Sequence, residues 1–574
     1  MTQTDQPLNQ SEGLSPAARL IWLLLIVATL YFCYFYNLGV VGFVGPDEPR
    51  YAWIARDMAE NGDWVTPRLY GKPWFEKPVL YYWSAALSFK CFGVSEATAR
   101  LPSAVCALLA TLSIAWLAWR IYGGETARWV LLLLPTTVGM IGFSHAAATD
   151  MPFAGMLTVA MVCAAVILGL LPNIGNSNSS KLFWLILFGI FLGLAVLAKG
   201  PAAIILSGGA VLLWAAFAKR WRVAFRCLHP LAIAAFCLTA LPWYILCAQR
   251  NPDFFHTFII EHNFKRYLTP EFQHIQPFWF YVPVVLTAFL PWTLILLWSG
   301  VLGIQRTRRN GQINSFAILL LCWAGFCLLF FSISKSKLPG YILPALPAMG
   351  LLLSRSVVLF SRQSSKSLRL LTLTSAIVAL LVSLTLIITG RHFHPSNSTG
   401  EAMVAAGCVL LAFALANLIL SLIGKNVPYA ALCVLPVILL ATEFRPLAHP
   451  WLWWDPSGRT LAAELAANEI PTDQIYAAAH MKRGQLYSLS FYLHREIVEW
   501  DETSAKSGFL LLPSRNCAHF VKAPFACAEQ PIALSKSGWF VYRVGNSGSV
   551  GGLDGLGGFS GDGRGRYGVD RQPR

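Results

Sequence analysis

The sequence predicts a polytopic α-helical membrane protein with about 13 transmembrane helices and a small α+β domain after the last of them. The first observation is the composition: 56% of the 574 residues are hydrophobic and 13% are charged, whereas a soluble protein carries about 25% charged residues. The second is that apolar runs close to the roughly 20 residues that cross a bilayer recur between residues 19 and 443. Together they exclude an ordinary soluble globular protein.

Each long apolar run predicts one membrane span. The predicted spans lie near residues 17–38, 98–119, 127–144, 152–172, 182–198, 201–217, 229–247, 277–300, 315–333, 338–356, 369–389, 403–423 and 427–443. No small-residue cleavage site follows the first run, so we expect an uncleaved span and not a signal peptide. The run Val79–Gly93 is shorter and amphipathic, so we expect a helix at the membrane surface.

Basic residues in the short loops predict the orientation. The chain has 44 Lys and Arg against 28 Asp and Glu, a net charge of +16, and topology signals explain this excess better than a nucleic-acid partner does. The basic residues that fall on one side are Arg120, Arg128, Lys219, Arg220, Arg222, Arg226, Arg306, Arg308, Arg309, Arg362, Lys366, Arg369 and Lys425. The positive-inside rule makes that side cytoplasmic and places the remaining loops outside the cytoplasm.

Four segments follow from this pattern. They are a cytoplasmic tail (1–16), a transmembrane domain with extracytoplasmic loops (17–443), an extracytoplasmic α+β domain (444–545) and a Gly-rich disordered tail (546–574). The α+β prediction rests on a helical segment, Ser457–Asn468, and on strand-like runs at Gly508–Leu512 and Gly538–Val544. In an oxidising compartment Cys517 and Cys527 are expected to form a disulfide, with two unpaired thiols as the alternative.

The first extracytoplasmic loop holds two polar motifs. Residues 45–51 read GPDEPRY, and residues 72–78 read KPWFEKP. In the simplest interpretation, Asp47 or Glu48 caps a helix from Arg50 to Asn61. The second motif argues for more, because prolines stiffen the backbone on both sides of charged and aromatic residues at a membrane surface. We therefore expect an organised site in this loop.

Further charged residues lie at the outer ends of spans. Asp150 is either a functional carboxylate or the N-cap of a helix that starts at Pro152. Lys199, Lys335 and Lys337 run against the cytoplasmic bias of basic residues, which favours a local anionic partner such as a phosphate. Snorkelling of these side chains to the membrane surface is the alternative.

The sequence contains none of the common metal-binding or nucleotide-binding motifs. The loop at residues 248–276 offers His256, Glu261, His262 and His274 as metal-type ligands, but no HExxH or CxxC spacing chooses among them. The sequence has no P-loop and no GxGxxG motif, which disfavours a nucleotide or nucleotide-sugar substrate. A membrane lipid that carries a phosphate is the natural partner for the outer basic residues.

Taken together, these motifs resemble a known family. Residues 46–51, 62–65 and 74–78 are similar to the first loop of the aminoarabinose:lipid A transferases, which are relatives of the protein O-mannosyltransferases within the GT-C membrane glycosyltransferases. The resemblance continues through residues 193–200, 241–243, 261–262, 290–292 and 335–344, and covers roughly residues 15–350 in order.

The resemblance implies a GT-C architecture and an inverting transferase that moves a sugar from a polyprenyl phosphate to lipid A or another envelope glycan. It implies catalytic roles for Asp47 and Asp150, and a divalent metal, zinc, at Glu76 and His262. The residues it implies at the donor phosphate are Arg50, Lys77 and Tyr341, and the outer-side lysines Lys199 and Lys337 are predicted there because of their charge. It also implies an inner-membrane location, membrane lipids as partners, a monomer and no nucleic-acid partner.

Two alternatives stay open from the sequence. A protein O-mannosyltransferase would use the same kind of donor with a Ser or Thr hydroxyl as acceptor, and that hydroxyl needs a general base. A transporter of lipid-linked sugars would place ionisable residues at the bilayer midplane and show inverted repeats. The charged residues collect in outer loops instead, and no repeat is visible, so the transferase is favoured.

Overall fold

The computed structural model describes residues 15–171, 178–265, 275–310, 313–363, 365–393, 398–423, 458–477, 481–500, 508–512, 525–527, 532–534 and 539–546. The chain divides into two compact units, residues 1–457 and 458–574.

The first unit is helical. Its helices are α1 (Pro16–Tyr34), α2 (Asp47–Asn61), α3 (Leu80–Phe92), α4 (Glu96–Tyr122), α5 (Gly124–Leu133), α6 (Val138–Ser144), α7 (Asp150–Ile167), α8 (Asn178–Lys199), α9 (Ala202–Ala218), α10 (Trp221–Ala224), α11 (Pro230–Arg250), α12 (Tyr281–Ala288), α13 (Thr293–Asn310), α14 (Ser315–Ile333), α15 (Leu346–Gln363), α16 (Ser365–Phe393) and α17 (Ser398–Ile423). A π-helix spans His256–Lys265, and 3-10 helices span Phe225–Leu228, Phe278–Phe280 and Pro339–Ala345. Two short antiparallel strands, β1 (Arg68–Leu69) and β2 (Lys72–Pro73), lie between α2 and α3.

The described helices confirm a polytopic membrane fold but not the predicted count of thirteen spans. Seven helices are long and apolar enough to cross a membrane, or up to nine if each of two bent helix pairs is one span. The runs at 127–144 and 277–300, predicted as single spans, are each broken into two helices, with bends of 63° and 116°. The predicted span at 427–443 lies outside the described residues.

The two helix breaks contact each other. The backbone N–H of Val138, at the start of α6, donates to the carbonyl of Leu290, between α12 and α13, at 3.0 Å. The indole N–H of Trp292 donates to Oγ1 of Thr136 at 2.8 Å. Broken helices at membrane depth are tolerated only where protein groups satisfy the freed backbone. Each helix break therefore supplies hydrogen-bond partners to polar groups at the other break.

Helix α7 is the most enclosed of the long apolar helices, with every residue from Met151 to Val166 buried. It packs against α4 on one side and α8 on the other. A Cβ on Gly155 would lie 2.8 Å from the carbonyl oxygen of Cys106 on α4, so only glycine permits this approach. The first residue of α7, Asp150, is thereby fixed relative to α4.

The loop between α2 and α3 is joined to α11 by polar contacts. The Asp63 carboxylate accepts hydrogen bonds from the backbone N–H groups of Val65 and Thr66 and pairs with Arg250 at 3.2 Å. The indole N–H of Trp243 on α11 donates to the carbonyl of Val65 at 2.9 Å. These contacts attach the polar motif at residues 62–65 to α11, which lies about 180 residues later in the chain.

A buried ion pair joins α4 to the start of α2. Arg100 is 4% exposed, and its guanidinium contacts both carboxylate oxygens of Glu48, at 2.8 and 3.0 Å. The same guanidinium donates to the carbonyls of Leu38, Val41 and Gly42. A buried charge is tolerated when it is paired and its remaining donors are bonded. Arg100 meets both conditions and fixes the segment that leads into α2, residues 38–42, against α4.

The second unit is a small α/β fold. Its elements are α18 (Arg459–Ala467), β3 (Ile475–Ala477), α19 (Arg483–Leu493), β4 (Val498–Glu499), β5 (Gly508–Leu512), β6 (Phe525–Cys527), β7 (Ile532–Leu534) and β8 (Trp539–Asn546). The strand order is β4-β3-β5-β8-β6, and β7 also pairs with β8. Strands β4 and β5 run parallel to β3, whereas β8 runs antiparallel to β5.

The core of this unit joins its helices to the sheet through Leu465, Leu489, Leu511 and Val541, all buried. The predicted helix and both predicted strand runs are confirmed within two residues at their ends. Cys517, residues 444–457 and the tail beyond residue 546 lie outside the described residues, so the disulfide and the disordered tail stay predictions.

Replacing Arg100 with Met should lower the free energy of unfolding by about 3–5 kcal/mol, because Glu48 would keep a buried charge without its partner. Arg56→Met is the matched control. Arg56 forms an (i,i+4) pair with Glu60, which is 41% exposed, and such pairs contribute about 0.3–0.5 kcal/mol. Thermal unfolding in detergent, followed by tryptophan fluorescence, measures both variants. Equal losses in the two would contradict the structural role of Arg100.

Candidate active site

The first cluster of charged residues lies where α2 begins. Nη2 of Arg50 is 2.5 Å from Oδ1 of Asp47, one helical turn earlier, and 3.0 Å from Oε2 of Glu76, in the loop before α3. Nζ of Lys77 is 3.2 Å from Oε1 of Glu76. Two carboxylates and two cations from separate segments thus form one chain of ion pairs. The structure brings together four of the predicted site residues here.

Asp47 is the accessible member of this cluster. Its side chain is 50% exposed, against 13% for Arg50 and 10% for Glu76. The alternative that Asp47 or Glu48 caps a helix from Arg50 is wrong, because α2 already begins at Asp47 and its N-cap is Pro46, without a side-chain hydrogen bond. The Asp47 carboxylate is held by Arg50 instead, and it remains open to a substrate.

Arg50 is enclosed by aromatic rings and carboxylates. Its guanidinium lies 5.4 Å from the ring centre of Tyr51 and 5.1 Å from that of Trp74. Burial alone would lower the pKa of Arg50, but the negative charges of Glu76 and Asp47 raise it above its usual value. Burial also raises the pKa of Tyr51 well above its usual range. Arg50 therefore keeps its charge, and Tyr51 its proton, at any physiological pH.

The second cluster lies where α7 begins and α8 ends. Nζ of Lys199 is 2.5 Å from Oδ1 of Asp150, and it lies 4.7 Å from the ring centre of Tyr341. The N-cap alternative for Asp150 is wrong, since α7 begins at Asp150 itself and the capping position is Thr149. Asp150 is thus the partner of a lysine on the next helix. Lys199 and Tyr341, both predicted at the donor phosphate, lie beside this carboxylate.

Gly340 sets the distance between Tyr341 and Asp150. A Cβ on Gly340 would lie 2.8 Å from Oδ1 of Asp150 and 2.7 Å from the ring of Phe143. Real Cβ atoms do not approach so closely, so the backbone at Gly340 packs directly on the carboxylate, and any larger residue must displace the side chain of Asp150 or Phe143. The 3-10 helix Pro339–Ala345 is therefore part of the wall around Asp150.

Glu48 joins the two clusters. It follows Asp47 in the chain, and its Oε1 accepts the backbone N–H of Ala147, three residues before Asp150, at 2.7 Å. The sequence motifs do not predict Glu48 or its partner Arg100 as residues of the site. The available signal was Arg100 itself, because a charged residue inside a predicted span needs a partner.

Lys337 belongs to neither cluster and lies in the loop between α14 and the 3-10 helix Pro339–Ala345. Its amine donates to the backbone carbonyls of Gln276, at 3.0 Å, and Ser334, at 2.6 Å. Within the described part of the chain it forms no ion pair with a carboxylate. The five residues predicted at the donor phosphate are thus distributed: Arg50 and Lys77 in the first cluster, Lys199 and Tyr341 in the second, and Lys337 in neither.

The loop after α11 forms one wall of a cavity beside the first cluster. The cavity has a volume of about 490 Å³ and is lined by Pro73, Trp74, Phe75, Glu76, Arg250, Asn251, Pro252, Asp253, Thr257 and His262. Two of the other metal-type candidates, His256 and Glu261, lie 3.8 Å apart on the π-helix. His274 falls outside the described residues.

Glu76 and His262, the predicted zinc ligands, share this cavity. Zinc sites usually have three or four protein ligands, and no group of three His, Cys, Asp or Glu converges among the described residues. Both oxygens of Glu76 also face cations, Arg50 and Lys77. The described residues therefore do not make a complete zinc site.

The fold is that of a polytopic membrane protein, and it gathers charged residues from separate segments into two carboxylate–cation clusters. A family model described as dolichyl-phosphate-mannose-protein mannosyltransferase matches residues 20–258. An undecaprenyl phosphate-alpha-4-amino-4-deoxy-L-arabinose arabinosyl transferase of Enterobacter sp. (strain 638) is 33% identical over 408 residues, which cover 70% of this chain and 72% of that protein. The transferase of the same name from Erwinia tasmaniensis is 32% identical over 409 residues, with the same coverage.

A solved structure has the same fold. The crystal structure of ArnT from Cupriavidus metallidurans bound to undecaprenyl phosphate superposes with a TM-score of 0.76 and 25% sequence identity, covering 92% of this chain and 98% of that one. The chain belongs to the family of undecaprenyl phosphate-aminoarabinose arabinosyl transferases. It is accordingly a membrane glycosyltransferase, and the predicted family and fold class are confirmed.

Substituting Gly340 with Ala should lower the transferase rate by about 100-fold, because a displacement of Asp150 by a fraction of an ångström to 1 Å has effects of that size. Gly142→Ala is the matched control, since a Cβ there meets nothing within 4 Å. Transferase rates and melting temperatures are measured for both. The role given to the Gly340 contact is refuted by a fully active Gly340→Ala enzyme.

Proposed function

We propose that this protein transfers 4-amino-4-deoxy-L-arabinose from undecaprenyl phosphate to a phosphate group of lipid A. The observation that carries the proposal is the half-exposed Asp47 carboxylate, held by Arg50 within a cluster of two carboxylates and two cations. The family supplies the donor and the sugar, since its members are named for both. Lipid A as acceptor comes from the resemblance of the outer-loop motifs.

The donor phosphate is assigned to Arg50 and Lys77. When the glycosidic bond breaks, negative charge develops on the departing polyprenyl phosphate, and fixed cations at that position lower the barrier. Arg50 suits this role because its charge is permanent and its position is fixed by Asp47 and Glu76. A guanidinium also presents paired donors that match phosphate oxygens.

The carboxylates have a different task. An oxygen of the acceptor phosphate attacks the anomeric carbon, the bond from that carbon to the donor phosphate breaks, and its electron pair leaves with polyprenyl phosphate. No proton needs to move, because a phosphate acceptor is already anionic near neutral pH. Asp47 and Asp150 then stabilise positive charge that develops on the sugar and position the acceptor, and the attack from the opposite face inverts the anomeric centre.

The location follows from the substrates. We place the protein in the inner membrane with α2, α3 and the second unit on the periplasmic side. The basic loops predicted on the opposite side support this orientation. A donor carried by a lipid suits that compartment, which lacks the nucleotide sugars of the cytoplasm.

Replacing Asp47 with Asn should reduce transfer by at least about 100-fold while leaving the fold intact. The assay uses purified protein in nanodiscs, undecaprenyl phosphate-aminoarabinose and lipid A, with mass spectrometry of the lipid product. Asp57→Asn, on the same helix and hydrogen-bonded to Asn61, is the control and should keep full activity. Wild-type protein that modifies a Ser- or Thr-containing peptide and leaves lipid A unchanged would instead support the O-mannosyltransferase alternative.

Zinc at Glu76 and His262 stays a proposal. Metal analysis of the purified protein beside a His262→Ala variant tests it without reference to activity. Zinc that is present in the wild type and lost in the variant supports the proposal. The same metal content in both proteins contradicts it.

A further inference from the structure

The loop between α14 and the 3-10 helix Pro339–Ala345 contains a buried cation that neither carboxylate cluster uses. Lys337 is 6% exposed, whereas its neighbour Lys335 is exposed. A snorkelling lysine keeps its amine in water. Lys337 does the opposite, so the snorkelling alternative fails for this residue and its burial needs another explanation.

The described residues leave one donor of the Lys337 amine without an acceptor. Of its three N–H groups, two are accounted for by the carbonyls of Gln276 and Ser334. Among the described residues no carboxylate lies within ion-pair distance, so the positive charge is compensated only by carbonyl dipoles. Burial and the neighbouring charge of Lys335 lower the pKa of the Lys337 amine, as expected where a charge is desolvated without a counter-ion.

The neighbouring residue, Ser336, carries a second polar group without a partner among the described residues. Ser336 is 3% exposed, and its buried hydroxyl oxygen makes no hydrogen bond with any described residue. Buried polar groups are nearly always bonded, and an exception calls for a ligand, an ion or water. Two adjacent buried groups, one charged and one neutral, thus retain unused donors. Their chemistry matches an anion with several acceptor oxygens.

We propose that Lys337 and Ser336 bind the phosphate group of the acceptor, separately from the donor phosphate at Arg50 and Lys77. This rests on the proposed function, in which both substrates carry a phosphate and the two groups must be held at the same time. Like charges repel, so each phosphate is better served by its own cations. The first cluster pairs Arg50 and Lys77 with Asp47 and Glu76, whereas the described residues place no carboxylate beside Lys337.

The chain connects this subsite directly to the second carboxylate. Gly340, three residues after Lys337, packs against Asp150, and Tyr341 lies against Lys199. The isolated bridge between Ile275 and Ser336 and the Lys337–Gln276 hydrogen bond fix the other side of the loop. An acceptor phosphate on Lys337 is therefore held by the same short segment that forms the wall around Asp150, where its oxygen attacks the sugar.

The experiment measures KM for each substrate separately, in nanodiscs of zwitterionic lipid. Ser336→Ala should raise KM for lipid A by about 10-fold, because a hydrogen bond to a charged group contributes about 1.5–3 kcal/mol. It should leave KM for the donor unchanged and should not lower the melting temperature, since the hydroxyl it removes bonds to none of the residues that the structure describes. Lys337→Met should raise KM for lipid A further.

Two controls make the result decisive. Lys335→Met removes an exposed charge from the same loop and should change KM for lipid A less than twofold. Lipid A without phosphates, added as a competitor, should fail to inhibit the wild type. A rise in KM for the donor in Ser336→Ala or Lys337→Met overturns the proposal in favour of the donor phosphate.

The source of the anion is tested in the same assay. Nanodiscs with phosphatidylglycerol that abolish the difference between wild type and Ser336→Ala would overturn the proposal in favour of a bulk lipid site. Inactivity of the wild type toward lipid A would refute the proposed function itself, a result distinct from any of these changes in KM.

Discussion

The buried pair of Arg100 and Glu48 is the interaction on which the arrangement of the site depends. The guanidinium gathers three carbonyls of the segment before α2, and the carboxylate reaches the backbone before α7. One ion pair therefore fixes the two segments that begin with Asp47 and Asp150. A charged pair in a protein interior contributes little net stability compared with apolar residues. Its value here is geometric, since it ties the start of α2, next to Asp47, to the backbone three residues before Asp150.

Charge balance distinguishes the parts of the site. Asp47 and Glu76 face Arg50 and Lys77, and Asp150 faces Lys199, so each carboxylate has a cation before any substrate arrives. A phosphate that enters such a cluster competes with the carboxylates for the same donors. In the proposed reaction, a donor phosphate bound to Arg50 would replace part of the contact between Arg50 and Asp47 and leave the Asp47 carboxylate to the sugar. The cations thus pair with carboxylates in the free protein and, in the proposed reaction, with the phosphate of the bound donor.

The sequence predicts most of what is local and little of what is long-range. Apolar runs predict helices such as α4 and α14, because a span must satisfy its own backbone. The breaks near Thr136 and Leu290 are not predicted, since each depends on a hydrogen bond to the other. The motifs name Asp47, Arg50 and Glu76, but only the fold shows that Arg50 bridges the two carboxylates. Lys337 is predicted at a phosphate, yet one of the two carbonyls that hold its amine belongs to Gln276, 61 residues earlier in the chain.

The contact between the two helix breaks has a consequence for biosynthesis. The segment with α5 and α6 leaves the ribosome long before the segment with α12 and α13 exists. Until the later segment arrives, the backbone N–H of Val138 and the hydroxyl of Thr136 lack the partners that they have in the finished protein. During synthesis the translocon or the lipid headgroups must supply hydrogen-bond partners for these two groups, or α5 and α6 must first insert as an unbroken helix. In that case the bend between α5 and α6 would form only after insertion, when α12 and α13 pack against them.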